Sequence, residues 1–340
     1  MASVRNARKK MSERLYSIYE KEIPSFLNSF LDAPSIRRID HVGMHCGMEY
    51  TSFPFYKDLK KYSRMEHSLG VSLIIHHFSG DIRMSLSGLF HDIATPSFAH
   101  VIDFLHNDHE KQESTEERTA DIIKKDKIIQ KELKKRNIQN SEINDYHIYP
   151  IADNDSPKLS ADRLEYTLHN FYNYGFASLM EIKEMYDDLV VSINESGEPE
   201  IMFRSNGLAE KFTLLALKNG HVYTTDEDRY AMEYLAHVLH QAIERKIITE
   251  DDLYLTEEEV ISRLMKDEIA KKEFQEFRNL SKVIKEEVRT TDYSYKIRAK
   301  KRYIDPMVKD TGRISSLSDM AKKKINDFLN DDFDYYLRKA

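Results

Sequence analysis

The sequence predicts an all-α fold: a helical core carrying one small β-hairpin and followed by a C-terminal α+β appendage. Three observations predict it. Gly and Pro are scarce, 10 and 8 in 340 residues, too few for a collagen-like or loop-dominated chain. Apolar residues recur at three- and four-residue spacing along much of the chain, the period of a helix with one buried face. Ser114-Thr-Glu-Glu117 and Thr256-Glu-Glu-Glu259 read as capping boxes, which satisfy the free N–H groups of a first helical turn.

Taken in order, Leu15, Ile18, Tyr19, Ile23, Phe26 and Leu27 mark one or two amphipathic helices. Pro34 and Pro54 interrupt periodicity between 31 and 62. Helices are expected over 64–78 and 82–90, with a short apolar one over 97–105 after Pro96. The box at 114 opens a charged helix to about 125. Residues 124–146 are rich in charge and poor in large apolar groups, so they read as solvent-facing helices or a mobile insertion. A helix beginning near Ser160 carries Asp162, Leu164, Tyr166 and Leu168. The β signal is confined to Leu189–Asn194 and Pro199–Phe203, alternating segments around a turn holding Gly197, a hairpin that suits an oligomer or domain edge. Helices return at 206–219, 226–246 and 257–266. A basic run, Lys296–Arg302, precedes a terminal helix from 316. With no repeat or low-complexity linker, the plainest division is a core over 1–270 and an appendage over 271–340.

Charge and cysteine content narrow the classes. Lys and Arg number 51 against 58 Asp and Glu, a net charge of −7, which disfavours a generally basic nucleic-acid binder. No segment approaches the ~18 consecutive apolar residues of a membrane span. The basic first ten residues lack the apolar stretch of a secretory signal, so a cytoplasmic location is expected. The single cysteine, Cys46, excludes an internal disulfide framework and a Cys-rich zinc site. Histidine is distributed unevenly: of 14, nine lie between His41 and His109.

Four residues within and beyond that cluster have metal-ligand character: His67, the adjacent pair His91-Asp92, and Asp162. An isolated His-Asp pair is more often a packed, hydrogen-bonded histidine beside a carboxylate. Here the pair follows apolar Leu86, Leu89 and Phe90, where unpaired polar groups are costly to bury. Imidazole nitrogen with carboxylate oxygen suits one divalent ion from among Mn, Fe, Zn, Ni and Mg.

The flanks of these residues resemble the HD-domain phosphohydrolases, and within them the deoxynucleoside triphosphate triphosphohydrolase branch. Arg64-Met-Glu-His-Ser-Leu-Gly-Val71 is similar to that branch's R-F-E-H-S-L-G-V. His91-Asp-Ile-Ala-Thr-Pro-Ser-Phe-Ala-His100 is similar to its H-D-L-G-H-G-P-F-S-H, and Phe30-Leu-Asp-Ala-Pro-Ser-Ile-Arg-Arg-Ile39 to its I-I-D-T-P-Q-F-Q-R-L. The resemblance runs from about residue 30 to 175. It implies an all-helical core, often oligomeric, with His67, His91, Asp92 and Asp162 as metal ligands. It further implies His100, Asp103, His109 and Glu110 as a catalytic network, Arg64 as a phosphate contact and Tyr166 as an aromatic contact to a nucleotide. The expected partner is a nucleotide or other phosphorylated small molecule.

The sequence departs from that pattern where substrate is read. Thr95 replaces a histidine, Met44 stands where a glutamine reads the sugar, and Asn170 replaces a carboxylate. Only Lys218, His221 and Tyr223 offer a diluted version of a later phosphate motif. The expectation is therefore a complete metal site in a changed substrate shell, acting on a nucleotide or related phosphoester. Two alternatives stay open: a weakly catalytic nucleotide- or metal-binding regulator, and a nucleic-acid-associated protein using the 296–302 run.

Overall fold

A computed structural model describes residues 12–106 and 118–340. The expected capping box at 114–117, and His109 and Glu110, lie outside the described residues. The helices that position the site are α1 (Ser12–Tyr19), α2 (Arg64–Ser79), α3 (Ile82–Phe90), α4 (Val101–Leu105) and α5 (Ala161–Asn173). They are followed by α6 (Asn206–Tyr223), α7 (Asp226–Glu244), α8 (Glu257–Leu264), α9 (Glu268–Arg278) and α10 (Asp319–Leu329).

Helix α2 is the axis of the fold. Ser63 caps it, accepting from the Glu66 amide while Glu66 accepts from the Ser63 amide, and Gly80 ends it at φ 64°. Every residue from Arg64 to Ile75 is buried, so no face of these first three turns is left to solvent. α1, α3 and α5 pack around it. Gly70 permits the approach of α5: a Cβ there would lie 2.5 Å from Glu165 Oε1. α3 is capped by Asp81 and α5 by Ser160, the latter as its sequence suggested.

Apolar burial divides into two large clusters. One gathers α1, α2, α3 and α5, with Leu69, Leu73, Phe90, Leu164 and Phe171 at its centre. The other gathers α4, α7 and α9 through Phe104, Tyr230, Tyr234, Leu239 and Phe274. C-terminal residues enter both: Ile304, Val308 and Ala321 the first, Ile297 and Leu337 the second.

Three expectations need correction. Residues 97–105 are not one helix; Phe98 and Ala99 take φ 64° and 47°, a left-handed kink that no helix accommodates, and α4 starts at Val101. The charged stretch 124–146 is not solvent-facing throughout, because Ile129, Leu133, Ile143 and Tyr146 are buried in the first cluster, and Asp126 caps Lys127–Arg136. The all-α description understates the sheet. The expected hairpin, β1 (Leu189–Ile193) with β2 (Pro199–Phe203), is present. Alongside it come β3 (Val283–Glu286), β4 (Met307–Val308), β5 (Gly312–Arg313) and β6 (Tyr336–Lys339). β4 joins β2 in parallel and pairs with β5, while β3 and β6 form a separate antiparallel pair. No described helix is long and apolar enough to cross a membrane.

Candidate metal centre

Three elements bring the candidate ligands together. His67 comes from the first turn of α2, His91 and Asp92 from the end of α3, and Asp162 from the first turn of α5. His67 Nε2 lies 2.9 Å from Asp162 Oδ1 and 3.2 Å from His91 Nε2. His91 Nε2 is 3.7 Å from Asp162 Oδ1, and Asp92 Oδ2 is 3.6 Å from His91 Nε2 and 3.9 Å from His67 Nε2. Two imidazole nitrogens and the Asp162 oxygen thus meet, with the Asp92 oxygen within 3.9 Å of both nitrogens. His67, His91 and Asp162 meet the geometric requirement for holding a common ion.

The outer nitrogens of both imidazoles are committed elsewhere, which is how proteins fix a ligating histidine. His91 Nδ1 donates to the Gly88 carbonyl at 2.7 Å; a carbonyl only accepts, so Nδ1 carries the proton and a lone pair sits on Nε2. His67 Nδ1 faces Glu165 Oε2 at 2.7 Å. Glu165, wholly buried, also accepts from the Tyr62 hydroxyl, and Tyr62 stacks on His169 at 3.3 Å between ring centroids. This donor set, with its outer hydrogen bonds in place, fits a divalent cation. The mixture of imidazole and carboxylate suits Mn, Fe, Zn, Ni or Mg and does not select among them.

The electrostatics carry the same signature. Burial works against the His67 imidazolium, yet Asp162 and Glu165 outweigh it and push its pKa up to about 10. Burial opposes ionisation of Asp92, but Arg64 and the two histidines hold its carboxyl far below the usual range. Asp162 is likewise held low, against burial, by His67 and His91. Two buried carboxylates kept ionised in this way give the cluster a charge that suits a cation.

Arg64 and Thr95 hold Asp92 from two sides: Arg64 Nη1 donates to Oδ2 at 3.0 Å and Thr95 Oγ1 to Oδ1 at 2.8 Å. Thr95, where the resembled pattern has a histidine, therefore orients a ligand. His100 and Asp103 form a pair, Nδ1 to Oδ2 at 2.8 Å, with Asp103 wholly buried. Burial lowers the His100 pKa; Asp103 opposes this, and Arg302 and Arg64 reinforce it. Tyr166 lies one turn after Asp162 on α5, its ring 6.3 Å from that of His67.

Most of these residues border one pocket of about 740 Å³. Arg64, His67, His91, Asp92, His100, Asp162 and Tyr166 line it, together with Met44, Asn170 and Tyr223 from the departures noted in the sequence. Asn170 Nδ2 donates to the Tyr223 hydroxyl at 2.7 Å. Lys218 and His221 point elsewhere: Lys218 lies over the Phe176 ring, and His221 faces Asp331 at 3.7 Å.

Sequence reasoning missed several contributors. Glu165 had a signal: three residues after Asp162 on one helix, it shares the face that turns to α2. Tyr146, whose ring stands 5.0 Å from that of His91, was hidden in a stretch that reads as solvent-facing. Lys300 and Arg302, which also line the pocket, belong to a run in which nothing local separates them from their neighbours.

Comparison with known proteins shows what the chain is similar to. The HD domain family model matches residues 64–164, the interval that contains all four candidate ligands. An uncharacterised Bacillus subtilis protein, YdhJ, is 29% identical over 257 residues, 72% of this chain and 74% of its own length. The Cordyceps militaris metal-dependent phosphohydrolase cns2 is 23% identical over 183 residues, 51% of this chain and 48% of its own. Among solved structures, a Bacteroides thetaiotaomicron phosphohydrolase superposes with a TM-score of 0.62 at 15% identity, covering 93% of this chain and 96% of that one. At that identity the likeness is one of fold.

Proposed function

From the HD domain carried by residues 64–164, we propose that this chain is a metal-dependent phosphohydrolase acting on a nucleotide or related phosphoester. The observation that carries the reading is the convergence of His67, His91 and Asp162, with Asp92 beside the two histidines and both histidine Nδ1 atoms committed elsewhere, at the edge of a pocket of substrate size.

A divalent ion bound there polarises a phosphoryl oxygen and lowers the pKa of a water. The protein's own groups do the rest. Arg64 and Thr95 keep Asp92 ionised and oriented. Asp103 binds His100 Nδ1 and so fixes the tautomer, leaving Nε2 as an acceptor on the pocket side. The negative charge of a phosphoester raises the affinity of His100 for a proton, which it can then deliver to a leaving oxygen. The aromatic wall of Tyr166, Tyr174 and Tyr223 offers flat apolar surface with hydroxyls at its edge, suited to a nucleoside.

The test is a phosphate-release panel over dNTPs, NTPs, nucleoside monophosphates and cyclic dinucleotides with Mn²⁺-loaded protein. Release from at least one class, abolished by Asp92→Ala, supports the reading. Metal content unchanged in His91→Ala overturns the metal site. A flat panel with nucleotide binding retained replaces the enzyme by a binding module.

A further inference from the structure

The basic run 296–302 is divided by the fold. Lys296 pairs with Asp334, and Lys301 donates to the carbonyls of Leu329 and Asp331. Lys300 and Arg302 instead line the pocket that holds the metal-ligand cluster. The segment carrying them has no regular secondary structure between 296 and 306, yet it is pinned throughout. At its start Tyr295 exchanges two backbone hydrogen bonds with Leu337, at 2.9 and 2.8 Å. Arg229, wholly buried, donates to the Ile297 carbonyl. At its end the Asp305 amide donates to the Pro157 carbonyl at 2.9 Å, and Arg313 and Ser315 hold Asp305 in turn.

The backbone of Arg302 is itself seated. Gly220 on α6 leaves room for it: a Cβ there would stand 2.7 Å from the Arg302 carbonyl oxygen. From that position the side chain lines the pocket together with Tyr166, and its charge opposes the burial that raises the Tyr166 pKa. Tyr166 is one helical turn from Asp162, so this places a fixed cation close to the cluster, on the wall shared with His100 and Arg64. Guanidinium geometry matches two phosphate oxygens at once, which a lysine cannot reproduce.

Resting on the phosphohydrolase reading above, we propose that Arg302, delivered by the segment between Tyr295 and Asp305, is a substrate-phosphate-binding residue. Its pocket therefore selects substrates by their phosphate charge through a residue far outside the HD domain. Lys300, more exposed, adds charge at the rim.

The experiment measures tripolyphosphate binding to the full-length Mn²⁺-loaded protein by calorimetry, with Mn²⁺ content determined in the same samples. Arg302→Gln should weaken tripolyphosphate by about tenfold, the loss of one charge-assisted bidentate contact, and Arg302→Lys should recover only part of it. Arg298→Gln, the same change of charge on an exposed residue outside the pocket lining, should alter affinity by less than twofold. Mn²⁺ content should be unchanged in all three. Equal affinity in Arg302→Gln and wild type overturns the proposal, as does an equal loss in Arg298→Gln, and as does a wild-type protein that takes up Mn²⁺ and binds no tripolyphosphate. Should Arg302→Gln lose its folded circular-dichroism spectrum, Arg302→Lys decides: unchanged affinity overturns the proposal and partial loss supports it. Failure to take up Mn²⁺ overturns the phosphohydrolase reading itself, and this proposal with it.

Discussion

Replacing Glu165 by Gln separates charge from shape at the cluster. The carboxylate accepts from His67 Nδ1 at 2.7 Å and from Tyr62 through one oxygen, while the other lies 3.5 Å from His169 Nδ1. A glutamine with its carbonyl in the first position keeps both accepted bonds and the buried volume. What it loses is the negative charge behind His67. Hydrogen bonds to charged groups contribute about 1 kcal/mol more than neutral ones, so metal affinity should fall by roughly tenfold, the low end for outer-shell changes. Glu165→Ala is different in kind. It leaves the Tyr62 hydroxyl and His67 Nδ1 buried without that acceptor, each costing about 1–3 kcal/mol, and opens a cavity as well. Competition titration of Mn²⁺ or Zn²⁺ against a chelator reads the first effect, and denaturant unfolding of metal-free protein the second. Unchanged affinity in Glu165→Gln, together with wild-type stability in Glu165→Ala, would refute the view that Glu165 orients His67.

Other outcomes follow from the same geometry. Gly70→Ala puts a methyl 2.5 Å from Glu165 Oε1, so despite the better helix former it should cost about 1–3 kcal/mol in denaturant unfolding and weaken metal uptake. Asp228 lines the pocket and burial pushes its pKa from 3.8 up to about 7, with Tyr56 and Arg229 opposing. A carboxyl raised by folding contributes stability that is full below pH 3.8 and is lost as pH rises through about 7. The melting temperature of Asp228→Asn should therefore gain on wild type between pH 4 and 8, and parallel curves would count against it. Burial also pushes the Cys46 thiol up to about 12; alkylation by iodoacetamide at pH 7.5 should run about two to three orders of magnitude slower than for an ordinary thiol.

The parts of this site that could be read from the sequence are those whose partners are local or whose flanks are distinctive. His67, His91, Asp92 and Asp162 are recognisable by their order and neighbours, and His100 with Asp103 by helical spacing. The helix start at Thr256 was visible because capping is a contact over three residues. The rest depends on meetings the chain does not announce. Glu165 acquires its role only because α2 offers a glycine where α5 crosses. Tyr146 faces His91 across a stretch whose composition reads as solvent-facing. Strands of two to four residues, such as β4 and β6, are too short to show a period, and β4 exists because β2 gives it an edge to pair with.

The two backbone hydrogen bonds between Tyr295 and Leu337 have a consequence in time. The pocket wall that carries Arg302 is hung from Leu337, which follows Asp162 at a long remove along the chain. A nascent chain can bring His67, His91 and Asp162 together once α5 has left the ribosome. The wall beside them cannot be fastened until residue 337 has emerged as well. The cluster and the wall beside it therefore depend on segments made at different points of synthesis, and a lesion in β6 would be felt at the pocket without touching any of the candidate ligands.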